Sequence, residues 1–312
     1  YGAQGGYATG YSGAYETPQY TVGFSGKKKA LLIGINYIGH PRGRLNGCIN
    51  DVKNMQSFLV KHFGFDVNNI VVLTDDAHDA RKKPTKANIM NCIRWLVQGA
   101  QAGDSLFFQF SGHGSQVKDV SGDEDDGLDE TILPCDYRSA GQIIDDDLHA
   151  QMCMAIPAGV RLTAVMDCCH SGTGLDLPYE HHPPGTSNKV KIQAQSKMEK
   201  KRLKKLKKQQ KKNKKKQSAM GQGFLPGTTY ADVMLFSGCR DDQTSADARI
   251  GGQATGAMTY AFIKALTKNK NQTFIQLLGT MRQELTTPPR RFTQVPQLST
   301  GRPLNLNVPF SM

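Results

Sequence analysis

Two apolar runs of this chain end in residues that are suited to nucleophilic catalysis. The run SLFFQF is followed by SGHG, which carries His113 between two glycines, and the run RLTAVM is followed by DCCHSG, which carries Cys168, Cys169 and His170. A thiol becomes a strong nucleophile when a nearby base or cation favours its thiolate form. Glycines at such a position let a substrate backbone and amide donors approach closely. The two segments therefore predict a catalytic pair of a cysteine and a histidine.

The elements that must position these residues alternate between strands and helices. Short apolar runs predict strands that are buried on both faces at residues 30–35, 69–74, 105–111, 161–167 and 233–238. Helical spacing of apolar residues predicts helices at residues 50–64, from residue 84 onward, and at residues 255–268 and 274–285. This alternation indicates an α/β fold with a mostly parallel central sheet flanked by helices on both faces. Because ligands bind beyond the carboxyl ends of parallel strands, we expect the histidine and the thiol to meet at that rim.

Composition divides the chain into four segments. Residues 1–27 are rich in Gly and Tyr and predict a low-complexity tail, because such a segment buries too little apolar surface to become ordered. Residues 28–178 and 230–312 carry the predicted strands and helices, and we interpret them as two parts of one domain. Between them, residues 179–229 form a lysine-rich insert, which we expect to be solvated and largely disordered because like charges repel.

The positive charge of the chain is concentrated in that insert. The net charge is +12, yet residues 188–217 contribute +14 through 15 Lys or Arg and one Glu, so the remaining chain carries −2. A basic folded body, which is typical of nucleic-acid-binding domains, is therefore not indicated. The insert itself could bind nucleic acid or an anionic membrane surface, or serve as a nuclear address.

The seven cysteines indicate thiols rather than a structural framework. No pair has the C-x-x-C spacing of a structural zinc site, and no run approaches the roughly 18 apolar residues of a membrane span. No secretory hydrophobic segment precedes the first predicted strand, although the chain begins at Tyr1 and not at Met. We therefore expect a soluble protein of a reducing compartment, located in the cytoplasm and, if the insert acts as an address, also in the nucleus.

In this order and on successive strands, SGHG and DCCHSG resemble the motifs of the caspase-like peptidases, and among them the metacaspases. The resemblance extends to LLIGINY (31–37), LNGCINDV (45–52), GDEDDGLDETILPCDY (122–137), IIDDDLH (143–149) and SGCRDDQTSADA (237–248). It covers residues 28–178 and 230–312, with a part like the large caspase subunit preceding a part like the small one. Because the amino-terminal extension lacks zinc-finger cysteine spacing, the chain is similar to type I metacaspases of the fungal or protist kind.

The resemblance implies a role for each residue of the catalytic pair. The family nucleophile directly precedes the histidine of CHSG, which assigns it to Cys169 and makes His113 the general base. The backbone N–H groups of Gly114 and Cys169 are implied as oxyanion donors. Cys168 stands where the family usually has a small residue, often Ser. It could be an inward-facing thiol or a redox partner of Cys169, and a vicinal disulfide is disfavoured because it is strained. We interpret His170 as structural, and no third catalytic residue is evident.

The resemblance also implies an acidic substrate pocket, with Asp51 and Asp167 as its charged residues and Cys48 and Ser111 as its remaining walls. Two carboxylates in a partly desolvated slot favour Arg or Lys strongly over neutral side chains. Taken alone, Asp51 is explained more simply as an acid at a helix amino terminus. With the family pattern, we expect cleavage after Arg or Lys, and not after Asp as in caspases.

Two acidic segments, residues 122–130 and 144–148, could be solvated loops or could bind a hard cation. Crowded carboxylates repel one another unless a cation intervenes, and oxygen-only ligands suit Ca²⁺. The spacing does not match an EF-hand. The resemblance to metacaspases implies a calcium site formed by Asp129, Asp145, Asp146 and Asp176. Asp176 lies seven residues after Cys169, so metal binding there would order the catalytic loop.

These predictions combine into a calcium-activated cysteine endopeptidase that cleaves its own insert within residues 187–217. A rival prediction is a legumain-like peptidase that cuts after Asn, which Asp51 and Asp167 disfavour. A second rival is a scaffold or aggregate-remodelling protein of little catalytic activity that acts through its tail and its insert. The resemblance further implies a monomer, because metacaspases occupy the sheet edge through which caspases dimerise.

Overall fold

A computed structural model describes residues 24–40, 42–118, 128–168, 174–184, 191–192, 228–238, 247–250, 253–287, 292 and 294–312. The predicted tail, apart from its last residues, lies outside the described residues, as does most of the predicted insert. Within the described part of the chain, no helix is both long enough and apolar enough to cross a membrane.

The described residues form strands and helices that alternate along the chain. The strands are β1 (Lys28–Gly34), β2 (Ile70–Thr74), β3 (Ser105–Ser111), β4 (Gly114–Lys118), β5 (Leu128–Ile132), β6 (Ile143–Ile144), β7 (Arg161–Asp167), β8 (Tyr179–His181), β9 (Lys191–Ile192), β10 (Asp232–Ser237), β11 (Asp247–Ile250), β12 (Gln253–Gly256) and β13 (Gln297–Thr300). The helices are α1 (Cys48–Phe63), α2 (Lys86–Val97), α3 (Tyr137–Ala140), α4 (Asp145–Leu148), α5 (Ala257–Lys268) and α6 (Phe274–Thr286).

Eight strands form the central sheet in the order β2-β1-β3-β7-β10-β13-β8-β9. Neighbouring strands are parallel from β2 to β10 and antiparallel from β10 to β9. All five predicted strands lie in the parallel part, within one or two residues of their predicted bounds. The α/β fold with a mostly parallel sheet is therefore confirmed.

Helices cover both faces of this sheet, because the central strands bury apolar side chains on both sides. Successive side chains of a strand point to opposite faces, so Leu32 of β1 packs in the core formed with α1, α5 and α6, whereas Ile33 packs in the core formed with α2 and α4. The predicted helix signals also hold: Gly64 ends α1 with a left-handed φ of 67°, and the side chain of Thr85 caps α2 by accepting from the N–H of Asn88.

Two smaller sheets were not predicted from the sequence. Strands β4, β5 and β6 pair antiparallel and carry part of the predicted acidic segments, and β11 pairs antiparallel with β12. The helix predicted at residues 255–268 begins only at Ala257, because Thr255 and Gly256 belong to β12. These strands are short and lack a continuous apolar run, so the periodicity that revealed the buried strands is absent.

The central sheet extends into the predicted insert, and this corrects the boundary drawn at residue 179. Tyr179–His181 pairs antiparallel with β13, and Lys191–Ile192 pairs with Tyr179–His181 in turn. A strand at the edge of a sheet, as β13 would otherwise be, offers backbone groups that another segment can pair with whatever its composition. The lysine-rich stretch that follows lies outside the described residues.

A buried ion cluster joins β7 to β10 at the end of the sheet opposite the catalytic motifs. Arg161 and Asp232, each 1% exposed, are the first residues of these two strands, and Nη2 of Arg161 lies 3.3 Å from Oδ2 of Asp232. Asp232 also contacts Arg302, and Nη1 of Arg161 donates to the carbonyl of Ser311 at 2.8 Å. The carboxylate of Asp232 thus contacts two arginines, and Arg161 also holds the carboxyl-terminal segment through Ser311.

We expect Asp232→Asn to lower the free energy of unfolding by about 3 kcal/mol, because breaking a buried ion pair by removal of one partner is strongly destabilising. Urea denaturation measures this difference. The matched control is Asp79→Asn, which removes the acid of an exposed pair whose partner Arg81 is 90% exposed, and it should leave the urea midpoint unchanged. Equal shifts in the two variants would contradict the assigned role of the buried cluster.

Candidate active site

The register of the parallel strands brings the predicted catalytic segments to one rim of the sheet. Ser111, the last residue of β3, lies opposite Gly34 of β1 on one side and opposite Asp167 of β7 on the other. The N–H of Gly112 donates to the carbonyl of Asp167 at 3.4 Å. The motifs SGHG and DCCHSG therefore begin at the same level of the sheet, at the ends of two adjacent strands.

His113 is held at this rim by three contacts. Its Nε2 lies 2.6 Å from the carbonyl oxygen of Gly43, its backbone N–H donates to the hydroxyl of Tyr37 at 2.8 Å, and its ring centroid lies 4.6 Å from that of Tyr37. A carbonyl only accepts, so Nε2 carries the proton in this contact and Nδ1 carries the lone pair. This tautomer suits a general base that acts through Nδ1.

The predicted nucleophile Cys169 lies outside the described residues, together with His170 and Gly172. Its neighbour Cys168 follows directly on β7, is 3% exposed, and packs in the core that contains Met166. This burial favours the interpretation of Cys168 as an inward-facing thiol.

The four predicted pocket residues lie together at the same rim. Cys48 and Asp51 belong to the first turn of α1, and Ser111 and Asp167 end β3 and β7; all four side chains are buried. Asp51 does not cap its own helix. Its carboxylate instead accepts hydrogen bonds from the side chain of Thr255 and from the N–H of Gly256 at 2.8 Å.

The carboxylates of Asp51 and Asp167 converge on one point. A Cβ atom added to Gly256 would lie 2.1 Å from Oδ2 of Asp167 and 2.7 Å from Oδ2 of Asp51, so only glycine fits between them. Asp167 in turn accepts the N–H of Thr259, in the first turn of α5, at 2.8 Å. The two acids are thus packed around a segment of the small-subunit-like part.

Burial raises the pKa of Asp51 well above its usual range, and the negative charge of Asp167 raises this pKa further. Hydrogen bonds from Thr255, Gly256 and Ser111 act in the opposite direction. Two acids in one desolvated space therefore repel each other, and a cation bound between them would relieve that repulsion.

Three of the four predicted calcium ligands also come together. Carboxylate oxygens of Asp145, Asp146 and Asp176 lie within 4.8 Å of one another among the described residues. The fourth predicted ligand, Asp129, is buried on β5 but is not a member of this group. Its neighbour Glu130 contacts Asp145 instead, through its N–H at 3.2 Å and through its carboxyl group. The oxygen-only donor set fits a hard cation such as Ca²⁺.

The electrostatics of this group are those of crowded acids. Burial raises the pKa of Asp145 to about 9, with further contributions from the charges of Asp176 and Glu130. Asp176 has a left-handed φ of 50°, and the carbonyl of the preceding Leu175 accepts from Nδ1 of His149 at 2.8 Å. The backbone is therefore held in a strained conformation that presents Asp176 to the group.

Several contributing residues were missed by the sequence analysis. Tyr37 and the carbonyl of Gly43 contact the base, Thr255 and Gly256 contact the acidic pocket, and Glu130 contacts the acidic group. Every residue has a backbone carbonyl, so the role of Gly43 cannot be recognised from its residue type. The residues that lie far from the motifs in the chain reach the site only after folding.

Comparisons with known proteins identify a matching family, similar sequences and a similar solved structure. The family profile of the metacaspase, peptidase C14 domain matches residues 28–178. Metacaspase-1 of Botryotinia fuckeliana is 45% identical over 324 residues, and the match covers 100% of this chain and 74% of the relative. Metacaspase-1B of Neurospora crassa is 46% identical over 325 residues, and the match covers 100% of this chain and 73% of the relative. The crystal structure of protein GSU0716 from Geobacter sulfurreducens is similar with a TM-score of 0.56 and 26% identity, over 88% of this chain and 93% of that chain.

We expect a pH-dependent stability that originates at Asp145. Folding raises the pKa of Asp145 to about 9, from the ordinary aspartate pKa of about 4. The protonated carboxyl group therefore stabilises the fold. This contribution is complete below about pH 4 and is lost as the pH rises toward 9. In EDTA, the melting midpoint of the wild type should therefore fall relative to that of Asp145→Asn between pH 5 and pH 9. The control Asp147→Asn changes an adjacent acid outside the group and should follow the wild type. Parallel profiles for wild type and Asp145→Asn would contradict the assignment.

Proposed function

Because the chain belongs to the metacaspases, which are cysteine endopeptidases of caspase-like fold, we propose that it is activated by calcium and cleaves its substrates after Arg or Lys. Family membership carries the reaction class, hydrolysis of a peptide bond through a cysteine nucleophile. The observation that carries the proposed specificity is the convergence of the buried acids Asp51 and Asp167 at the sheet rim that also carries His113.

The proposed chemistry uses His113 and Cys169 as a pair. Nδ1 of His113 takes the thiol proton, the thiolate of Cys169 attacks the scissile carbonyl carbon, and the same nitrogen then protonates the leaving amine. Water subsequently hydrolyses the thioester. The carbonyl of Gly43, 2.6 Å from Nε2, accepts from the protonated ring in each half of the cycle. This carbonyl takes the orienting role that a carboxylate has in other catalytic triads.

The pairing of β4 with β5 supports Gly114 as an oxyanion donor. Leu133 donates to the carbonyl of His113 at 3.1 Å, so His113 and Leu133 form a hydrogen-bonded pair of the ladder. Opposite residues of an antiparallel ladder alternate between hydrogen-bonded and non-hydrogen-bonded pairs. The next pair, Gly114 with Ile132, is therefore of the second kind, and the N–H of Gly114 faces away from β5. It is available to a developing oxyanion, together with the proposed second donor, the N–H of Cys169.

The acidic pair supports Arg or Lys as the residue before the scissile bond. Entry of a cation offsets both the burial and the mutual repulsion of Asp51 and Asp167, and a guanidinium offers five donors to their oxygens. A neutral Asn does not relieve the repulsion, and an Asp adds a third negative charge. Cys48 and Ser111 complete the walls of this pocket.

We expect Asp51→Asn to lower kcat/KM for Arg- and Lys-terminated reporter peptides by about 10- to 100-fold, because a charge-assisted hydrogen bond contributes about 1.5–3 kcal/mol. The same change should reduce the preference over an Asn-terminated peptide. The matched control is Asp66→Asn, which removes an exposed acid ahead of β2, at the opposite end of the sheet, and should leave kcat/KM unchanged. An unaltered Arg/Asn ratio in Asp51→Asn would refute the pocket assignment.

Calcium would be held by Asp145, Asp146 and Asp176, with Asp129 as the fourth ligand that the family resemblance implies. A bound cation would neutralise these acids, where burial and the charges of Asp176 and Glu130 otherwise raise the pKa of Asp145. Asp176 follows Cys169 by seven residues, so the segment between them is short enough for the acidic group to influence the nucleophile. We propose that calcium acts by ordering this segment.

The decisive assay compares wild type, Cys169→Ala and Cys168→Ala with Arg-, Lys-, Asn- and Asp-terminated reporter peptides, in EGTA and in about 1 mM Ca²⁺. We expect cleavage after Arg and Lys in calcium only, lost in Cys169→Ala and retained in Cys168→Ala. Full activity after exhaustive chelation would refute calcium activation. Activity that survives Cys169→Ala but not Cys168→Ala would move the nucleophile to Cys168.

The lysine-rich insert is the proposed site of self-cleavage, within residues 187–217, because it is filled with the residues that the pocket is proposed to accept. Electrophoresis of the same assay mixtures reports this cut. The insert is also the proposed contact for nucleic acid or an anionic surface, in the cytoplasm or the nucleus. Pairing of Tyr179–His181 with β13 covers the free edge of that strand, which supports the proposal of a monomer.

A further inference from the structure

Tyr37 occupies an unusual position beside the proposed base. It follows β1 with a left-handed φ of 54°, a conformation that bulky residues rarely adopt, and its side chain is 1% exposed. Such strain persists only where the surroundings determine the conformation, and it concentrates at functional sites.

The carboxylate of Asp75 holds this strained turn. Its two oxygens accept the N–H groups that flank Tyr37, from Asn36 at 2.9 Å and from Ile38 at 2.7 Å. Because Asp75 directly follows β2, the neighbour of β1, the restraint is anchored in the central sheet. Tyr37 is therefore held through its backbone on both sides.

The hydroxyl of Tyr37 is inserted into the ladder that begins at His113. It accepts the N–H of His113 at 2.8 Å and donates to the carbonyl of Leu133 at 2.7 Å. Leu133 donates directly to the carbonyl of His113 at 3.1 Å. One bond of this pair is thus direct, whereas the other runs through the tyrosine hydroxyl. Burial raises the pKa of this hydroxyl well above its ordinary value, so it keeps the proton that it donates.

The ring of Tyr37 restrains the imidazole as well. The two rings are 4.6 Å apart at an interplanar angle of 35°, while Nε2 of the imidazole is engaged by the carbonyl of Gly43. The backbone, one ring face and one nitrogen of His113 are therefore each fixed, and Nδ1 is the atom whose direction these three contacts set.

We propose that Tyr37, held in its strained turn by Asp75, is a positioning residue that aims Nδ1 of His113 at the nucleophile. The proposal rests on the assignment of His113 as the general base. Loss of the hydroxyl would release the backbone N–H of His113 from this contact and leave the carbonyl of Leu133 without this donor. A displacement of the base affects the chemical step more than the binding of substrate.

The test uses the full chain in calcium with an Arg-terminated reporter peptide. Tyr37→Phe keeps the ring and removes the bridge, and should lower kcat about 10-fold or more with KM changed less than about 2-fold. The matched control is Tyr137→Phe, which removes the hydroxyl of another tyrosine. The ring of Tyr137 packs edge-on against that of Tyr37, with 6.3 Å between the ring centroids. This variant should keep kcat within about 2-fold of wild type.

A double-mutant cycle separates positioning from a general structural role. In a His113→Ala background, Tyr37→Phe should cause no further loss of the residual rate. Asp75→Asn provides a second perturbation, which should lower kcat in wild type and not add to Tyr37→Phe. Melting midpoints establish that each variant is folded. Retention of wild-type kcat in folded Tyr37→Phe, or a full additional loss in the His113→Ala background, would overturn the proposal. Wild-type activity of His113→Ala would instead overturn the base assignment itself.

Discussion

Parallel pairing of β3 with β7 places Ser111 opposite Asp167, and the remainder of the site is arranged around that register. The central strands are buried on both faces, so polar side chains appear where the strands end. Because β1 is paired in the same register, α1 begins close to the same rim and brings Cys48 and Asp51 to it. A slip by one residue would exchange the faces of every side chain on the strand.

Burial of two like charges is the main electrostatic cost of this arrangement. The molecule offsets it with donors from β12 and from the first turn of α5, where unpaired N–H groups and the helix dipole favour an anion. These donors belong to the small-subunit-like part, whereas Asp51 and Asp167 belong to the large-subunit-like part. The acidic pocket therefore exists only when the two parts of the domain pack together.

Two non-glycine residues with a left-handed backbone, Tyr37 and Asp176, lie beside the proposed base and within the acidic group respectively. In each case a side chain holds the adjoining backbone: the carboxylate of Asp75 accepts the N–H groups on either side of Tyr37, and Nδ1 of His149 donates to the carbonyl that precedes Asp176. Strain of this kind is maintained by tertiary contacts and not by local preference. Tyr37, which contacts the base, and Asp176, which belongs to the acidic group, are thus both held in place by the surrounding fold.

Residue type and local period determined the buried strands, the longer helices and the residues at the strand ends, because these depend on near neighbours in the chain. The family motifs likewise indicated His113, Asp51 and Asp167. Tertiary structure alone decided that Tyr37 bridges the ladder at His113, that the carbonyl of Gly43 orients the ring, and that Thr255 and Gly256 close on Asp51. It also decided that Tyr179–His181 joins the sheet. These contacts link residues from about 70 to more than 200 positions apart or involve backbone atoms that every residue shares, so no local pattern encodes them.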